Sequence, residues 1–377
     1  MLAAAIAVAV GCRMAVLVYA ATSPIRNEAN RLVSPFHAVG TDLGYYMRAA
    51  AVQKEMSLAS MAQRFVDFYT QWDYLLIQFV DVGPLLPALI NVFGHGPGNA
   101  LPMSLTWMAA SGLFCIIWLV WLAKQQVHPL WLFVVALLPN PIWYGLAVGT
   151  DMPFALFFTL FFVSYFRRAW EPRHVVIWFA CCVLMTSVRP NAISVLIFVC
   201  LDLTRRIVAA PARRDLVLLG LCTALLIVAV LFYVPYFYAI FFWSLEQELY
   251  YFGIPPSGYA NGLFAALPHA LDQVLSWLLY PVAKALYFVG LRPSYGDVPL
   301  PLVLVRAAPG LILLPGLVWI FVKGSGAMRL LVLLFVVPVL LGPAQERYNL
   351  AIQPLLLFYG ALACERILRR KSREGVG

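Results

Sequence analysis

Four short polar motifs stand out in a sequence that is otherwise mostly apolar. Asp42 lies in TDLGYY, Asp151 in GTDMP, Arg189 in SVRPN and Arg347 in QERYN. A carboxylate can accept the proton of an attacking hydroxyl group, and the planar guanidinium group of arginine can bind a phosphate through two parallel hydrogen bonds. Two aspartates and two arginines would therefore suit the transfer of a group from a phosphate to a hydroxyl.

The composition predicts that these motifs belong to a polytopic membrane protein. Of the 377 residues, 63% are hydrophobic and only 11% are charged, whereas a soluble domain is about 45–50% apolar and about 25% charged. Such a chain can neither cover a water-facing surface nor remain disordered. The seven cysteines lie in apolar runs without metal-ligand spacing, which is typical of small core residues.

Ten apolar segments are predicted to cross the membrane, the first of them as a retained helix rather than a signal peptide. These segments are 2–21, 101–123, 129–147, 152–166, 175–188, 191–203, 216–240, 303–322, 328–342 and 348–365. The long first loop, 22–74, is predicted to hold amphipathic helices over Asp42–Met56 and Leu58–Tyr69. Leu75–Phe93 is predicted to lie at the membrane interface because prolines and glycine interrupt it.

One further apolar segment, 264–291, is predicted to be an in-plane or re-entrant element within an outer loop, 241–302. It contains Asp272, Pro281 and Lys284, and counting it as a span would turn the basic C-terminal tail outward. An element that lies in the membrane plane keeps the rest of the topology consistent.

The distribution of lysine and arginine predicts the orientation. With a cytoplasmic N-terminus, 15 of the 26 basic residues fall in short inner loops and the C-terminal tail, as the positive-inside rule requires. Both termini are then cytoplasmic, and residues 1–377 form a single multi-pass domain in the inner cell membrane. This distribution of basic residues explains the positive net charge, so binding to nucleic acid is not needed to account for it. All four polar motifs lie at the outer face in this topology, which predicts one site there.

The order of the motifs resembles the GT-C superfamily of membrane glycosyltransferases, especially bacterial relatives of protein O-mannosyltransferases and aminoarabinose transferases. The matching stretches are Asp42 with Tyr45 and Tyr46, VGPLLPALINVFG (82–94), PNPIWYGLAVGTDMPFALFF (139–158), Arg189-Pro190-Asn191, and Arg347-Tyr348 with Pro354. Polyprenyl-phosphate-mannose transferases of the lipomannan type are a similar sister group. The resemblance covers most of the chain, but residues 241–302 match none of its motifs.

The resemblance implies an all-α GT-C-like fold of about ten transmembrane helices with juxtamembrane helices on the outer face. It implies inverting transfer of a sugar from a polyprenyl-phosphate lipid to the hydroxyl of a glycan, lipid or protein. The candidate catalytic residues are Asp42, as the base, and Asp151. The candidate residues for phosphate and substrate binding are Arg189, Arg347, Tyr45, Tyr46, Tyr348 and Glu346. No cofactor is assigned, and dependence on a divalent metal stays open, although no ligand cluster in the sequence indicates a metal site.

Other interpretations of the same residues remain open. Asp42 and Asp151 could cap helices, the arginines could anchor the chain to lipid headgroups, and Glu346 could simply pair with Arg347. The tyrosines could belong to an aromatic belt. The alternative function is a secondary transporter or lipid flippase, although no pair of inverted halves is visible in the sequence. A purely structural membrane subunit would leave the acids and arginines of the outer face unexplained.

Overall fold

The described part of the protein is helical, apart from one pair of very short strands. The computed structural model describes residues 1–22, 25–26, 32–33, 43–72, 83–93, 100–167, 171–251, 281–282, 284–291, 304, 307–341 and 346–374. Strands β1 (Ile25–Arg26) and β2 (Leu32–Val33) pair antiparallel.

The helices are numbered in chain order. They are α1 Leu2–Thr22, α2 Leu43–Glu55, α3 Leu58–Gln71, α4 Leu85–Phe93, α5 Ala100–Lys124, α6 Pro129–Ala136, α7 Pro139–Leu146, α8 Asp151–Tyr165, α9 Pro172–Val188, α10 Ala192–Ala209, α11 Arg213–Tyr251, α12 Gly310–Lys323, α13 Gly326–Leu341, the 3₁₀ helix η1 Glu346–Asn349, and α14 Gln353–Glu374.

Four helical segments in the described residues are long and apolar enough to cross a membrane. They are Leu2–Thr22, Pro102–Lys124, Pro129–Leu146 and Arg213–Phe237. Together with the apolar composition, they identify an integral membrane protein of the all-α class. The number of ten spans and the cytoplasmic position of both termini stay predictions.

The predicted span over 129–147 coincides with the candidate span Pro129–Leu146, and its helix is interrupted in the middle. α6 ends at Ala136 and α7 begins at Pro139. Proline has no N–H, so Pro139 and Pro141 cannot bond to the carbonyl groups four residues earlier. The helix therefore stops and restarts with Pro139 in the first turn of α7, a position that proline favours.

The chain divides into two compact units, Met1–Pro235 and Tyr236–Gly377. In the first unit α5 is central, because α1, α7 and α8 pack against it, and α9 packs against α8. Large aromatic side chains of α5, α8, α9 and α10 are fully buried in this unit: Trp107, Trp118, Trp178, Phe158, Phe161, Phe162 and Phe198. This packing holds the start of α8, which carries Asp151.

Two helices of the first loop match the predicted positions closely, α2 at 43–55 and α3 at 58–71. Ser57 caps α3 by accepting a hydrogen bond from the Ser60 N–H at 3.1 Å. The hydroxyl group of Tyr69 donates to the carbonyl oxygen of Leu231, and the ring of Phe65 lies 5.4 Å from that of Phe232. α3 is therefore docked on α11; that loop 22–74 faces outward stays a prediction.

In the second unit α12 and α14 cross at unusually short range. A Cβ atom at Gly316 would overlap the carbonyl oxygen of Leu356, and one at Gly360 would overlap that of Ile312. Only glycine allows the two backbones to approach so closely.

The predicted last span, 348–365, is shifted toward the C-terminus in the structure. The QERYN motif forms η1, and α14 begins at Gln353. Pro354 accounts for the shift, since proline is suited to the first turn of a helix and not to its interior.

Most of the predicted in-plane element, 264–291, lies outside the described residues, so its placement stays a prediction. Within its described part, Lys284 is buried and its Nζ donates to the carbonyl oxygen of Leu340 at 3.5 Å. Leu340 belongs to the last turn of α13, where backbone carbonyls lack partners within the helix. Lys284 therefore caps that helix end.

Candidate functional site

Asp151 and Arg189 form a buried ion pair in the first unit. Nη1 of Arg189 donates to Oδ1 of Asp151, and the two side chains are only 7% and 12% exposed, Asp151 the less of the two. Asp151 is the first residue of α8, and Arg189 directly follows the last residue of α9. Two of the four sequence motifs therefore meet at one point.

The α8–α9 hairpin explains why these two residues meet. The ring of Tyr165 at the end of α8 lies 5.4 Å from the ring of Trp178 in the first half of α9, whereas the start of α8 contacts the residue that follows α9. The two helices therefore run antiparallel. The N-terminus of α8 then adjoins the C-terminus of α9. A carboxylate at a helix N-terminus and a cation at a C-terminus are each stabilised by the helix dipole. Each charge of the pair therefore lies at the helix end whose dipole stabilises it.

Half of the Asp151 carboxylate has no partner in the described part of the chain. Arg189 bonds to Oδ1, and Oδ2 accepts no hydrogen bond there. The N-cap position of α8 is occupied by Thr150, and Asp151 is the first residue of the helix, so Asp151 is not the N-cap residue. Oδ2 is chemically able to accept a hydrogen bond from a hydroxyl group.

Side chains of α5 fix the loop that leads to Asp151. Ser104 Oγ donates to the carbonyl oxygen of Leu146 at 3.3 Å, and Trp107 Nε1 donates to that of Gly149 at 2.7 Å. The ring of Tyr46 also lies against this loop, because a Cβ atom at Gly149 would be 3.5 Å from Tyr46 Cε2. Tyr46 is buried. The loop is thus held from two sides.

A second group of contacts fixes the end of α9 before Arg189. The Gly83 N–H donates to the carbonyl oxygen of Val188 at 3.3 Å, and the Tyr233 hydroxyl group donates to that of Thr186 at 2.7 Å. A Cβ atom at Gly83 would overlap the carbonyl oxygen of Ser187, so this approach requires glycine.

Sequence reasoning missed four of these contributors: Gly83, Ser104, Trp107 and Tyr233. A usable signal existed for Ser104 and Trp107. Together with Ser111 they recur every three to four residues along α5, which places them on one helix face. Gly83 lay in a stretch that was singled out for its interruption of an apolar run and for its match to the GT-C motifs, and not for a contact of its own, and Tyr233 carried no signal in the sequence.

The remaining predicted site residues are placed only in part. Asp42 lies outside the described residues, directly before α2. Tyr45 lies in α2, and Glu346 and Arg347 lie in η1 of the second unit, but their side chains are not among those described. Tyr348 is half-buried. The joining of these residues with Asp151 and Arg189 stays a prediction.

A second ion pair, with a buried aspartate and an exposed arginine, lies at the opposite end of α8. The Tyr165 hydroxyl group and Nε of Arg206 each donate to Oδ2 of Asp202 at 2.8 Å. Tyr165 ends α8, whereas Asp151 begins it, so about 21 Å of helix separates the two pairs. Within the described ranges, no group of three or more His, Cys, Asp or Glu side chains is placed to hold a metal ion.

Comparison with known proteins gives one weak likeness. No protein-family profile matches the chain, and no curated protein matches it. A similar solved structure is the archaeal oligosaccharyltransferase AglB from Archaeoglobus fulgidus in complex with an inhibitory peptide and a dolichol-phosphate, at 15% identity and a TM-score of 0.41. The alignment covers 79% of this chain and 44% of that one, so this chain spans less than half of that protein's length. At this TM-score the likeness assigns neither a fold nor an activity.

Proposed function

We propose that this protein is a membrane glycosyltransferase of the GT-C type, which transfers a sugar from a polyprenyl-phosphate lipid to an acceptor hydroxyl at the outer face of the membrane. The observation that carries the proposal is the buried Asp151–Arg189 pair, with Asp151 Oδ2 unoccupied by any described partner. Paired charges in an apolar bundle are rare and indicate function more often than stability. The motif order that resembles GT-C enzymes gives the pair its chemical interpretation.

The leaving group of the proposed reaction is a phosphate, which requires fixed positive charge. Arginine offers five N–H donors in one plane, and Nη1 of Arg189 bonds to Asp151. Asp151 holds the guanidinium group in place, so that its orientation is set before the lipid arrives. Positive charge positioned in advance at a developing anion is usually the largest contribution to such catalysis. Arg347, with Tyr348 and Glu346, is the proposed second group at the phosphate.

Asp42 is the proposed base. The acceptor oxygen attacks the anomeric carbon as its proton passes to the Asp42 carboxylate, and the bond from that carbon to the phosphate oxygen breaks. Polyprenyl phosphate leaves, and attack from the opposite side inverts the anomeric centre. Asp151 Oδ2 accepts a hydrogen bond from a hydroxyl group of the sugar or acceptor, while Tyr45 and Tyr46 lie beside the substrate.

The alternative, a secondary transporter or lipid flippase, is favoured by one different observation. The segment 129–146 is a broken helix, and the buried Arg13 of α1 donates to the carbonyl oxygen of Ala136 at this break. Broken helices and buried charges at mid-membrane depth are typical of transporter binding sites.

One experiment separates the two functions. The purified protein is assayed for sugar transfer from a panel of polyprenyl-monophosphate sugars and from nucleotide sugars, and reconstituted vesicles are assayed for uptake or lipid translocation. We expect transfer from a polyprenyl donor only. Asp151→Asn should abolish it, whereas the matched variant Asp202→Asn, which removes the buried carboxylate of the second ion pair, should lower thermal stability but retain transfer. Robust transfer from a nucleotide sugar, or translocation without any transfer, would refute the proposal.

A further inference from the structure

Arg13 is a buried charge in the middle of an apolar helix. α1 spans Leu2–Thr22, and Arg13 is 2% exposed. No carboxylate in the described residues pairs with it. A guanidinium group in such surroundings is energetically costly, so its presence requires an explanation.

The bonds of Arg13 point to the break between α6 and α7. Nη1 donates to the carbonyl oxygens of Ala9 at 3.0 Å and of Ala136 at 3.3 Å. Ala136 is the last residue of α6, so its carbonyl belongs to the four at a helix C-terminus that lack an intrahelical donor. These carbonyls also form the negative end of the helix dipole. Arg13 therefore supplies both a donor and a compensating charge to the end of α6.

The same guanidinium group reaches the start of α7 through Ser111 of α5. Nε of Arg13 donates to Ser111 Oγ at 2.9 Å, and Ser111 Oγ donates to the carbonyl oxygen of Pro141 at 2.5 Å. A hydroxyl group can accept one bond and donate another, so this relay is chemically consistent. Gly145 packs onto Ser111 as well, since a Cβ atom there would lie 2.6 Å from Ser111 Cβ.

The polar face of α5 continues from this relay to the candidate site. Trp107, one turn before Ser111, donates a hydrogen bond to the carbonyl oxygen of Gly149. Ser104, two turns before Ser111, donates one to the carbonyl oxygen of Leu146. Asp151 follows two residues after Gly149. Arg13 thus begins a series of hydrogen bonds along one face of α5 that ends in the turn preceding Asp151.

We propose that Arg13 is a positioning residue, which fixes the break between α6 and α7 and thereby the placement of Asp151 against Arg189. The kinetic measurements that test this positioning role rest on the proposed function. In the transporter alternative, Arg13 would instead contact a ligand, through Nη2, which is buried and has no partner in the described part of the chain. The two roles differ in what Ser111 does: a positioning arginine needs the relay, whereas a ligand-binding arginine does not.

Ser111→Ala tests the relay because it leaves the Arg13 charge in place. A shift of about 1 Å in a remote supporting element can lower turnover about 10²-fold, so we expect Arg13→Gln to reduce kcat on that order. Ser111→Ala should reduce kcat in the same direction, while the KM for the lipid donor changes by less than roughly threefold in both. The double variant should be no slower than Arg13→Gln alone, because the two residues act through one relay. Arg13→Lys should recover part of the loss.

Thr106→Ala is the matched control. Thr106 also lies in α5, but it is exposed and its hydroxyl group bonds to the carbonyl oxygen of Pro102 within the same helix. This variant should keep the kcat of the parent protein. A changed KM with unchanged kcat in Arg13→Gln, or full activity in Ser111→Ala, would overturn the positioning role.

A structural readout keeps this test independent of the proposed function. Nitroxide labels at Trp143→Cys in α7 and Val176→Cys in α9 would sit on exposed positions, 49% and 67% accessible. The half-buried Cys12, Cys200 and Cys364 are replaced by serine, and the buried cysteines are retained. Arg13→Gln and Ser111→Ala should shift or broaden the distance distribution, and Thr106→Ala should not. Unchanged distributions would refute the inference, whereas absent sugar transfer with shifted distances would refute only the proposed function.

Discussion

Arg189 bonds to Asp151 across 38 residues of sequence, and the pair lies where the first turn of α8 meets the end of α9. A pair at matched helix ends has an obvious structural use, since each charge is stabilised by the helix terminus that carries it. The proposed chemistry adds a second use for the same arginine, the binding of a phosphate. The two uses predict different results when the charges are exchanged.

The exchange Asp151→Arg with Arg189→Asp should separate structure from chemistry. Removal of one partner of a buried pair costs about 3–5 kcal/mol, so Arg189→Ala should lower the melting temperature and also abolish transfer. The exchanged pair should recover part of the stability, because opposite charges still meet. It should recover no transfer, because the guanidinium group has moved. Thermal melting in detergent and the transfer assay measure the two effects separately; restored transfer would mean that Arg189 is only structural.

Asp42→Asn should inactivate the protein without unfolding it. Asparagine keeps the size and the hydrogen-bonding capacity of aspartate but cannot take up the proton. General-base catalysis contributes about 10²–10⁴-fold to a rate, so kcat should fall by at least about 10²-fold at an unchanged melting temperature. Turnover close to that of the parent protein would make Asp42 structural and transfer the role of base to Asp151.

Cysteine labelling should place the α8–α9 connection inside the cell. With the native cysteines replaced, Trp170→Cys should resist an impermeant maleimide added to intact cells and should react after the membrane is opened. Ala59→Cys, on an exposed position of α3, should react from outside because it lies in the predicted outer loop. Labelling of position 170 from outside would invert the topology and remove the candidate site from the outer face.

Gly316→Ala should destabilise the second unit. The new methyl group would overlap the carbonyl oxygen of Leu356, and overpacking of this kind costs about 1–3 kcal/mol. Gly220→Ala in α11 is the matched control, because nothing lies within 4 Å of the added carbon. In a helix interior this control should be neutral or stabilising by about 0.5–1 kcal/mol. Equal melting temperatures for the two variants would contradict the close crossing of α12 and α14.

The sequence by itself was enough to identify the class of protein and many helix positions. Hydropathy and helix periodicity are properties of neighbouring residues, so α2 and α3 could be predicted within one or two residues at each end. The proline effect at 139 and 141 is equally local, and the break in 129–147 could have been read from it. Asp151 and Arg189 were also found from the sequence, because charged residues at the ends of apolar segments are few.

Only the tertiary structure decided which of these residues touch. The pairing of Asp151 with Arg189, and the contacts of Arg13 with Ser111 and Ala136, depend on which helices become neighbours. Helix neighbours are determined by the fit of whole faces. In a chain that is 63% hydrophobic, many alternative helix pairings bury similar apolar faces. The few polar contacts that must be satisfied inside the bundle distinguish among them, and those contacts join residues as much as 123 positions apart.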